Sequence, residues 1–314
     1  MEENASLIMR NKLDVQGTVK APVRFVRTDG QTLPWGTIAL QGEKANGSSF
    51  SHCVMDGGSG YKEKLFEYSG MFSVHDVQGL KIDNCEFRNG TVVDDMVHIV
   101  YSSMDLSNSL FDTCLSDALD IDISEARLDS VTFLNSGNDA VDLMSSYASI
   151  TNSIFTDSGD KGISVGEGSR LLAVNNVLKR NEIGVQVKDG SKAFLYNQTI
   201  TDNVMAIDAY KKNWRYNGGG EAYVKKSILA SNKSALSADK KSQIMLFDSY
   251  IDKQKNGKKG VTIYSSDNEN TSNTNDADSF LPENMNFNAE NLAILERFDP
   301  SVIQMRNPAR RGAN

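Results

Sequence analysis

Small and large apolar residues recur along the chain with a fixed period of about 22 residues, which is in the range of solenoid repeats. Seven-residue segments that begin at positions 116, 138, 160 and 182 align without gaps, and segments 94–100 and 204–210 keep the same register. The small column contains Ala118, Ala140, Gly162, Gly184 and Ala206. The large columns contain Leu119, Val141, Ile163, Val185 and Ile207, and, two positions further on, Ile121, Leu143, Val165 and Val187. This alternation predicts one strand with a single buried face in every repeat.

The second half of each repeat predicts a further strand and a regular turn. An aromatic column is formed by Phe111, Phe133 and Phe155, and a turn column by Asn108, Ser130, Asn152, Asn175 and Asn197. Stacked Asn amides can hydrogen-bond from one coil to the next, as in cross-β ladders. Leucine-rich repeats have a similar period, but their LxxLxLxxN frame is absent here, and the units contain β-rich runs without a helical pattern. The repeat therefore predicts a parallel β-solenoid.

These repeats resemble the pectate-lyase-like right-handed parallel β-helix superfamily over roughly residues 15–252. The opening segments Gly17-Thr18-Val19-Lys20-Ala21-Pro22-Val23 and Trp35-Gly36-Thr37-Ile38 look like the first coils of bacterial surface β-helix proteins. The resemblance implies an all-β fold, a right-handed single-stranded parallel β-helix of about 22 residues per coil, located outside the cell or in the bacterial cell envelope. The superfamily includes lyases, hydrolases, epimerases, phage spikes and adhesins, so the resemblance implies no single activity.

The regularity of the repeat divides the chain into three parts. Residues 1–65 are predicted to form irregular N-terminal coils, residues 66–264 a regular β-helix, and residues 265–314 a polar C-terminal segment with a capping helix over 291–298. An insertion at 211–220 interrupts the regular part, and such insertions form surface loops. Because a strand-and-turn pattern is already present near the first residue, we expect the chain to begin inside a larger protein with further domains.

Charge and composition argue against several classes of function. The net charge of −8 and the pI of about 5.0 argue against nucleic acid, since a phosphate-binding surface normally carries a basic excess. No apolar run is long enough to cross a membrane, and no signal-peptide pattern is present, so we expect no membrane insertion. Cys53, Cys85 and Cys114 lack the spacing of a disulfide framework or a zinc site, and we expect buried thiols.

The same alternation predicts which polar residues point outward. If Leu119 and Ile121 face the core, Asp120 and Asp122 face solvent. Three outward columns follow from the repeat period. The central column contains His98, Asp120, Asp142, Ser164, Gln186 and Asp208, the leading column Asp95, Asp117, Asp139 and Lys161, and the trailing column Asp122, Met144, Gly166 and Lys188. Neighbouring coils lie about 4.8 Å apart, so we expect these columns to be continuous rows of side chains.

These columns concentrate negative charge. Between positions 90 and 142 there are eleven acidic residues and one basic residue, Arg127. Two carboxylates about 5 Å apart repel each other by about 1 kcal/mol even in water. A bound cation, a carboxylate pair with different pKa values and a plain solvated face would each explain the cluster, and the sequence leaves all three open. Ca²⁺ suits flexible carboxylate ligands, and its predicted ligands are Asp117, Asp120, Asp122 and Asp142.

Candidate catalytic and binding residues follow from the same columns. The predicted catalytic residues are Lys161, Asp139 and His98. Lys161 abstracts a proton or neutralises substrate in this hypothesis, with a structural salt bridge as the alternative, and His98 is a proton shuttle. The predicted substrate-binding residues are Lys188 for a sugar carboxylate and Tyr210, Trp214 and Arg215 for sugar faces and acidic groups.

The predicted function is carbohydrate chemistry. The chain is expected to act on an acidic polysaccharide as a lyase or C5-epimerase, with calcium and no organic cofactor, by removing the proton α to a uronate carboxylate. One alternative is a non-catalytic cell-surface module that binds glycan or is structural. The other is a polygalacturonase-like hydrolase, in which carboxylates on neighbouring coils act as acid and base. The Asn-Thr-Asp, Gly-His-Gly and Arg-Ile-Lys motifs of that class are absent.

Overall fold

A computed structural model describes residues 1–63, 66–252 and 260–264. Over these residues the chain winds into a solenoid whose coils supply strands to three parallel sheets. Within this described part, the single-turn 3₁₀ helix Glu43–Ala45 is the only helical segment. The C-terminal segment 265–314, with its predicted capping helix over 291–298, lies outside the described residues.

Each sheet is built from one strand per coil. Sheet 1 contains β1 (Leu7–Met9), β4 (Ile38–Gln41), β9 (Gly70–His75), β12 (Asp95–Val100), β15 (Asp117–Asp122), β18 (Val141–Met144), β21 (Lys161–Gly166), β24 (Ile183–Lys188), β27 (Met205–Tyr210) and β30 (Ser234–Ala238). Sheet 2 contains β2 (Asp14–Gln16), β5 (Ser49–Ser51), β10 (Leu80–Asp83), β13 (Ser103–Ser107), β16 (Glu125–Asp129), β19 (Tyr147–Thr151), β22 (Arg170–Val174), β25 (Lys192–Tyr196), β28 (Glu221–Lys225), β31 (Gln243–Phe247) and β33 (Val261–Tyr264). Sheet 3 contains β3 (Val23–Val26), β6 (Cys53–Asp56), β11 (Glu86–Gly90), β14 (Leu110–Cys114), β17 (Thr132–Ser136), β20 (Ile154–Thr156), β23 (Val177–Lys179), β26 (Thr199–Thr201), β29 (Ile228–Ala230) and β32 (Tyr250–Ile251). A separate antiparallel hairpin joins β7 (Tyr61–Glu63) to β8 (Phe66–Tyr68).

The strand pairing confirms the predicted all-β, right-handed parallel β-helix. The coils are irregular at first, because Leu7 pairs with Ile38 and Ile38 pairs with Phe72, both of which are longer steps than the predicted period. The step shortens from Phe72 to Val97 and reaches the predicted period from Val97 to Leu119. The early coils are longer because their turns carry extra residues, including the β7–β8 hairpin.

The core is a continuous column of apolar side chains inside the solenoid. Leu119, Ile121 and their equivalents in the next four coils are completely buried, as the alternation predicts. Four buried rings stack along sheet 3, with centroids 4.7, 4.7 and 5.0 Å apart from Phe87 through Phe111 and Phe133 to Phe155. Phe87 therefore extends the predicted aromatic column by one coil. Such stacks add ring contacts to the large apolar area that each ring buries.

The predicted asparagine turns are present. Asn152, Asn175 and Asn197 adopt left-handed backbone conformations, with φ of 53°, 60° and 53°, which Asn tolerates better than most residues. Asn175 Nδ2 donates to Asn152 Oδ1 at 3.3 Å, and Asn197 Nδ2 donates to Asn175 Oδ1 at 2.8 Å. These bonds confirm the predicted amide ladder, which ties successive turns together.

The cysteines are free and buried, as predicted. Cys53, Cys85 and Cys114 each lie in or beside a strand of sheet 3 and face the core. In the part of the chain that the structure describes, no helix has the length and apolar character needed to cross a lipid bilayer.

Candidate functional site

The outward face of sheet 1 gathers the three predicted columns in the predicted register. In the central column His98 pairs with Asp120, Asp120 with Asp142, Asp142 with Ser164, and Ser164 with Gln186. We call this surface the sheet 1 strip. Its members are His98, Asp120, Asp142, Ser164 and Gln186 in the central column, Asp95, Asp117, Asp139 and Lys161 in the leading column, and Asp122, Met144, Gly166 and Lys188 in the trailing column.

The strip is more buried than the sequence predicted. Asp120 and Asp122 point away from the core, but they do not face open solvent, because each side chain is only 19% exposed. Ser164 is completely buried. The physical reason is stacking, since every outward side chain has the equivalent side chains of the adjacent coils on both sides. Charges on the strip therefore interact in a less polar setting than surface charges do.

His98 lies at the centre of one carboxylate group. Its Nε2 is 3.3 Å from Asp122 Oδ2 and 3.7 Å from Asp120 Oδ2. Its Nδ1 is 3.8 Å from Asp95 Oδ2 and forms a 2.6 Å hydrogen bond with the hydroxyl of Ser69. The sequence did not point to Ser69, which precedes His98 by more than one regular coil and so falls outside the repeat frame. This arrangement gives the imidazole several short routes for proton exchange.

Burial and mutual repulsion give these carboxyl groups different pKa values. Burial, reinforced by the charge of Asp122 and other carboxylates, raises the pKa of Asp120 to about 9. Burial also raises the pKa of Asp95 to about 6, although hydrogen bonding to Ser69 and the nearby His98 oppose it. The ring of His75 packs edge-on against His98, and burial lowers the pKa of His75 to about 4. At neutral pH, Asp120 is therefore protonated and His75 is neutral.

Carboxylates of the leading column bind the backbone of the next coil. Asp117 Oδ1 accepts hydrogen bonds from the backbone N–H of Asp139 and from Asn138 Nδ2, both at 2.8 Å. Asp139 Oδ1 accepts the backbone N–H of Lys161 at 3.0 Å. These bonds give both carboxylates a structural role in addition to any chemical one. Burial, opposed by the charge of Lys161, still raises the pKa of Asp139 to about 7.

Lys161 is held in ion pairs. Its Nζ is 3.3 Å from Asp139 Oδ1 and also contacts the carboxylate of Asp160. Burial tends to lower the pKa of Lys161, but the two carboxylates outweigh it and the net shift is upward. A lysine held in its charged form is a poor base, so the geometry favours charge neutralisation over proton abstraction for this residue.

The far end of the strip carries Lys188. Its Nζ donates to the Ser164 hydroxyl at 3.2 Å, and the lysine is only 6% exposed. Among the described residues, no carboxylate forms an ion pair with this ammonium group, in contrast to that of Lys161. Tyr210 pairs with Lys188 in the next coil, and burial raises the pKa of its hydroxyl. The structure thus brings two of the predicted substrate-binding residues together.

The other two predicted substrate-binding residues, Trp214 and Arg215, lie on the insertion at 211–220. Residues 211–220 connect β27 to β28, whereas residues 189–191 make the equivalent connection one coil earlier. Asp189 Oδ1 anchors the loop by accepting the backbone N–H groups of Lys212 and Asn213, both at 2.7 Å. Trp214 is 83% exposed, and the Arg215 guanidinium lies 5.8 Å from the centre of its ring.

The predicted calcium ligands fall into two groups. Ligand atoms of Asp117, Asp139 and Asp142 lie within 4.8 Å of one another, as do those of Asp95, His98 and Asp120. The four predicted ligands are therefore divided, and Asp122 contacts His98. The first group consists of carboxylates only, which suits a hard cation such as Ca²⁺, and Asp142 Oδ1 is buried without a hydrogen-bond partner among the described residues.

These features define the class of the protein. It is a parallel β-helix with a strip of carboxylates and ammonium groups on one sheet face. The sequence of residues 121–277 matches the family described as the right handed beta helix region, and the chain belongs to this family. A comparison with curated proteins found no match.

Two solved structures share this architecture. The structure of pectate lyase (pelN) from Paenibacillus sp. 0602 is 11% identical in sequence, with 74% of this chain and 73% of that chain covered and a TM-score of 0.51. The enzymatically active domain of tailspike protein 2 of bacteriophage CBA120 is 9% identical, with 77% of this chain and 43% of that chain covered and a TM-score of 0.50. At these identities both similarities show the fold alone.

Proposed function

We propose that the protein binds an acidic polysaccharide along the sheet 1 strip and acts on it as a lyase or C5-epimerase. The observation that carries the proposal is the alignment of carboxyl groups with the ammonium groups of Lys161 and Lys188 on consecutive coils of one sheet face. A linear polymer can follow such a row from coil to coil. The fold similarity to a pectate lyase supports a polysaccharide as the substrate class. We accordingly propose a location outside the cell or in the cell envelope, where such polymers occur.

The reaction requires three functions that the strip can supply. The charge of the uronate carboxylate must be reduced before the α proton can leave, and Lys188 offers an ammonium without a close carboxylate among the described residues. Asp139 serves as the base in this proposal, with His98 as the second candidate. In a lyase, the electron pair left by the α proton forms a C=C bond as the bond to the leaving-group oxygen breaks. Asp120 then protonates that oxygen; in an epimerase Asp120 instead donates its proton to the carbon from the face opposite Asp139.

The test is incubation of the protein with a panel of polyuronates. A lyase will produce an unsaturated product that absorbs in the ultraviolet, and an epimerase will change the NMR signals of the sugar without cleavage. Asp139→Asn is expected to reduce the rate by about 100-fold or more, because it removes the base. The asparagine retains a carbonyl oxygen to accept the backbone N–H of Lys161, so folding should be preserved.

The matched control is Asp105→Asn, which removes an exposed carboxylate on sheet 2 and should leave the rate unchanged. New reducing ends without ultraviolet absorbance would instead indicate the hydrolase alternative. Binding of the polymer without any chemical change would indicate a glycan-binding module. An absence of both binding and chemistry across the panel would contradict the proposal as a whole.

We further propose calcium as the cofactor, held by Asp117 and Asp142 beside the base Asp139, where it would help to neutralise the substrate carboxylate. Excess calcium, at about 100 times its Kd, is expected to raise the free energy of unfolding by about 2–3 kcal/mol. Asp142→Asn should lose most of this stabilisation, whereas Asp105→Asn should retain it. The measurement is thermal unfolding with added calcium and with chelator. If the thermal midpoint of the wild type is the same with calcium and with chelator, the proposal of calcium as the cofactor is wrong.

A further inference from the structure

The side chain of Lys188 lies across Gly166. A Cβ atom added at Gly166 would be 2.4 Å from Lys188 Cε and 3.3 Å from its Nζ. Gly166 ends β21, one coil before Lys188, and its φ is not in the left-handed region, so the backbone itself does not require glycine there. A side chain at position 166 would therefore force the lysine off its path. This path directs the ammonium back along the strip to Ser164.

Ser164, which accepts the hydrogen bond of this ammonium, pairs with Gln186 of the adjacent coil, and both side chains are buried. Gln186 is only 5% exposed, and its Nε2 donates to Asp208 Oδ2 at 3.1 Å. That bond fixes the amide orientation, and it leaves Gln186 Oε1 buried with no hydrogen-bond partner in the described part of the chain. Burial raises the pKa of Glu167, and the positive charge of Lys188 opposes that rise without forming an ion pair with it. A buried acceptor without a donor and a buried cation without a close counter-ion are both costly.

A single sugar residue of a ligand can bind both the ammonium of Lys188 and Gln186 Oε1. The ammonium requires an anionic acceptor, and Gln186 Oε1 requires a hydrogen-bond donor. Strands of adjacent coils are about 4.8 Å apart, a spacing that one sugar ring can span with two of its substituents. A uronate offers a carboxylate and hydroxyl groups on the same ring, whereas a neutral hexose offers only hydroxyl groups. The pair of unmet requirements therefore selects a uronate over a neutral sugar.

We propose that Ser164, Gln186 and Lys188 form a subsite for one uronate residue, and that Gly166 is the positioning residue that lets Lys188 reach it. The ligand class in this inference rests on the proposed function. The role of Gly166 does not, because it concerns only the path of the lysine side chain.

The positioning role is tested without any ligand, by acetylating the protein with acetic anhydride and following each lysine by mass spectrometry. In Gly166→Ala the new Cβ displaces Lys188, so its ammonium should become several-fold more reactive than in the wild type. Gly218→Ala is the matched control, because a Cβ there meets no atom within 4 Å and Lys188 reactivity should not change. Equal reactivity of Lys188 in Gly166→Ala and the wild type would overturn the positioning role.

The subsite is tested by calorimetric titration with oligouronates and with a neutral oligosaccharide. Lys188→Met, which keeps the volume and removes the charge, and Gly166→Ala should each weaken oligouronate binding by about tenfold or more, while Gly218→Ala should not. If the wild type binds oligouronates and Lys188→Met binds them equally well, the subsite is overturned together with the role of Lys188 in neutralising the substrate, while binding of an acidic polysaccharide along the strip stands. If the wild type binds no oligouronate, the proposed function and its uronate subsite both fail, and the acetylation result still decides the role of Gly166.

Discussion

Replacing Phe133 by alanine is expected to lower the free energy of unfolding by about 3–5 kcal/mol. The Phe133 ring is completely buried, and it is stacked between Phe111 and Phe155 at centroid distances of 4.7 and 5.0 Å. Removing it leaves a cavity in the middle of the column, and the strands on both sides are fixed by their own ladders and cannot close it. The measurement is urea-induced unfolding followed by circular dichroism.

Ile154→Ala is the matched control for this prediction. Ile154 lies on the adjacent strand of sheet 3, opposite Thr132, but its side chain points outward and is 39% exposed. Its truncation should change the free energy of unfolding by no more than about 0.5 kcal/mol, as is usual for surface positions. Similar losses in Phe133→Ala and Ile154→Ala would contradict the idea that the aromatic column stabilises the solenoid.

The constant repeat period was sufficient to predict the fold and the register of the outward columns. Each coil must place one residue at each position of the stack, so a constant period fixes which side chains become neighbours. His98, Asp120 and Asp142 are adjacent for this reason, and so are Phe111 and Phe133. The same reasoning fails for coils of other lengths, and it could not place Ser69 beside His98.

Side-chain paths and burial could not be predicted from the period. A column assignment says that Lys188 points outward, but not that it turns back over Gly166 to reach Ser164. It also does not show that Asp117 and Asp139 accept backbone N–H groups from the next coil. These features depend on distances of a few ångströms within one coil spacing, which a sequence pattern does not resolve. They show which carboxylates of the strip also have a structural role.

Replacing Asp120 by asparagine is expected to stabilise the protein at neutral and alkaline pH. Burial and the neighbouring carboxylates raise the pKa of Asp120 from 3.8 to about 9, so the folded state retains a proton that the unfolded state releases. Between these two values the contribution of Asp120 to stability falls as the pH rises. Each unit by which a pKa is raised corresponds to about 1.4 kcal/mol, and asparagine, which has no proton to lose, avoids the cost.

The measurement is urea unfolding of the wild type and Asp120→Asn in chelator, so that no bound cation neutralises the carboxylates. The variant and the wild type should be nearly equal at about pH 4 and differ by at least about 1 kcal/mol at about pH 8, with the variant more stable. Asp105→Asn, at an exposed position, should change stability by less than about 0.5 kcal/mol throughout this range. If Asp120→Asn destabilises the protein at alkaline pH, the carboxyl group is stabilised in its charged form, and it cannot be the proton donor of the strip.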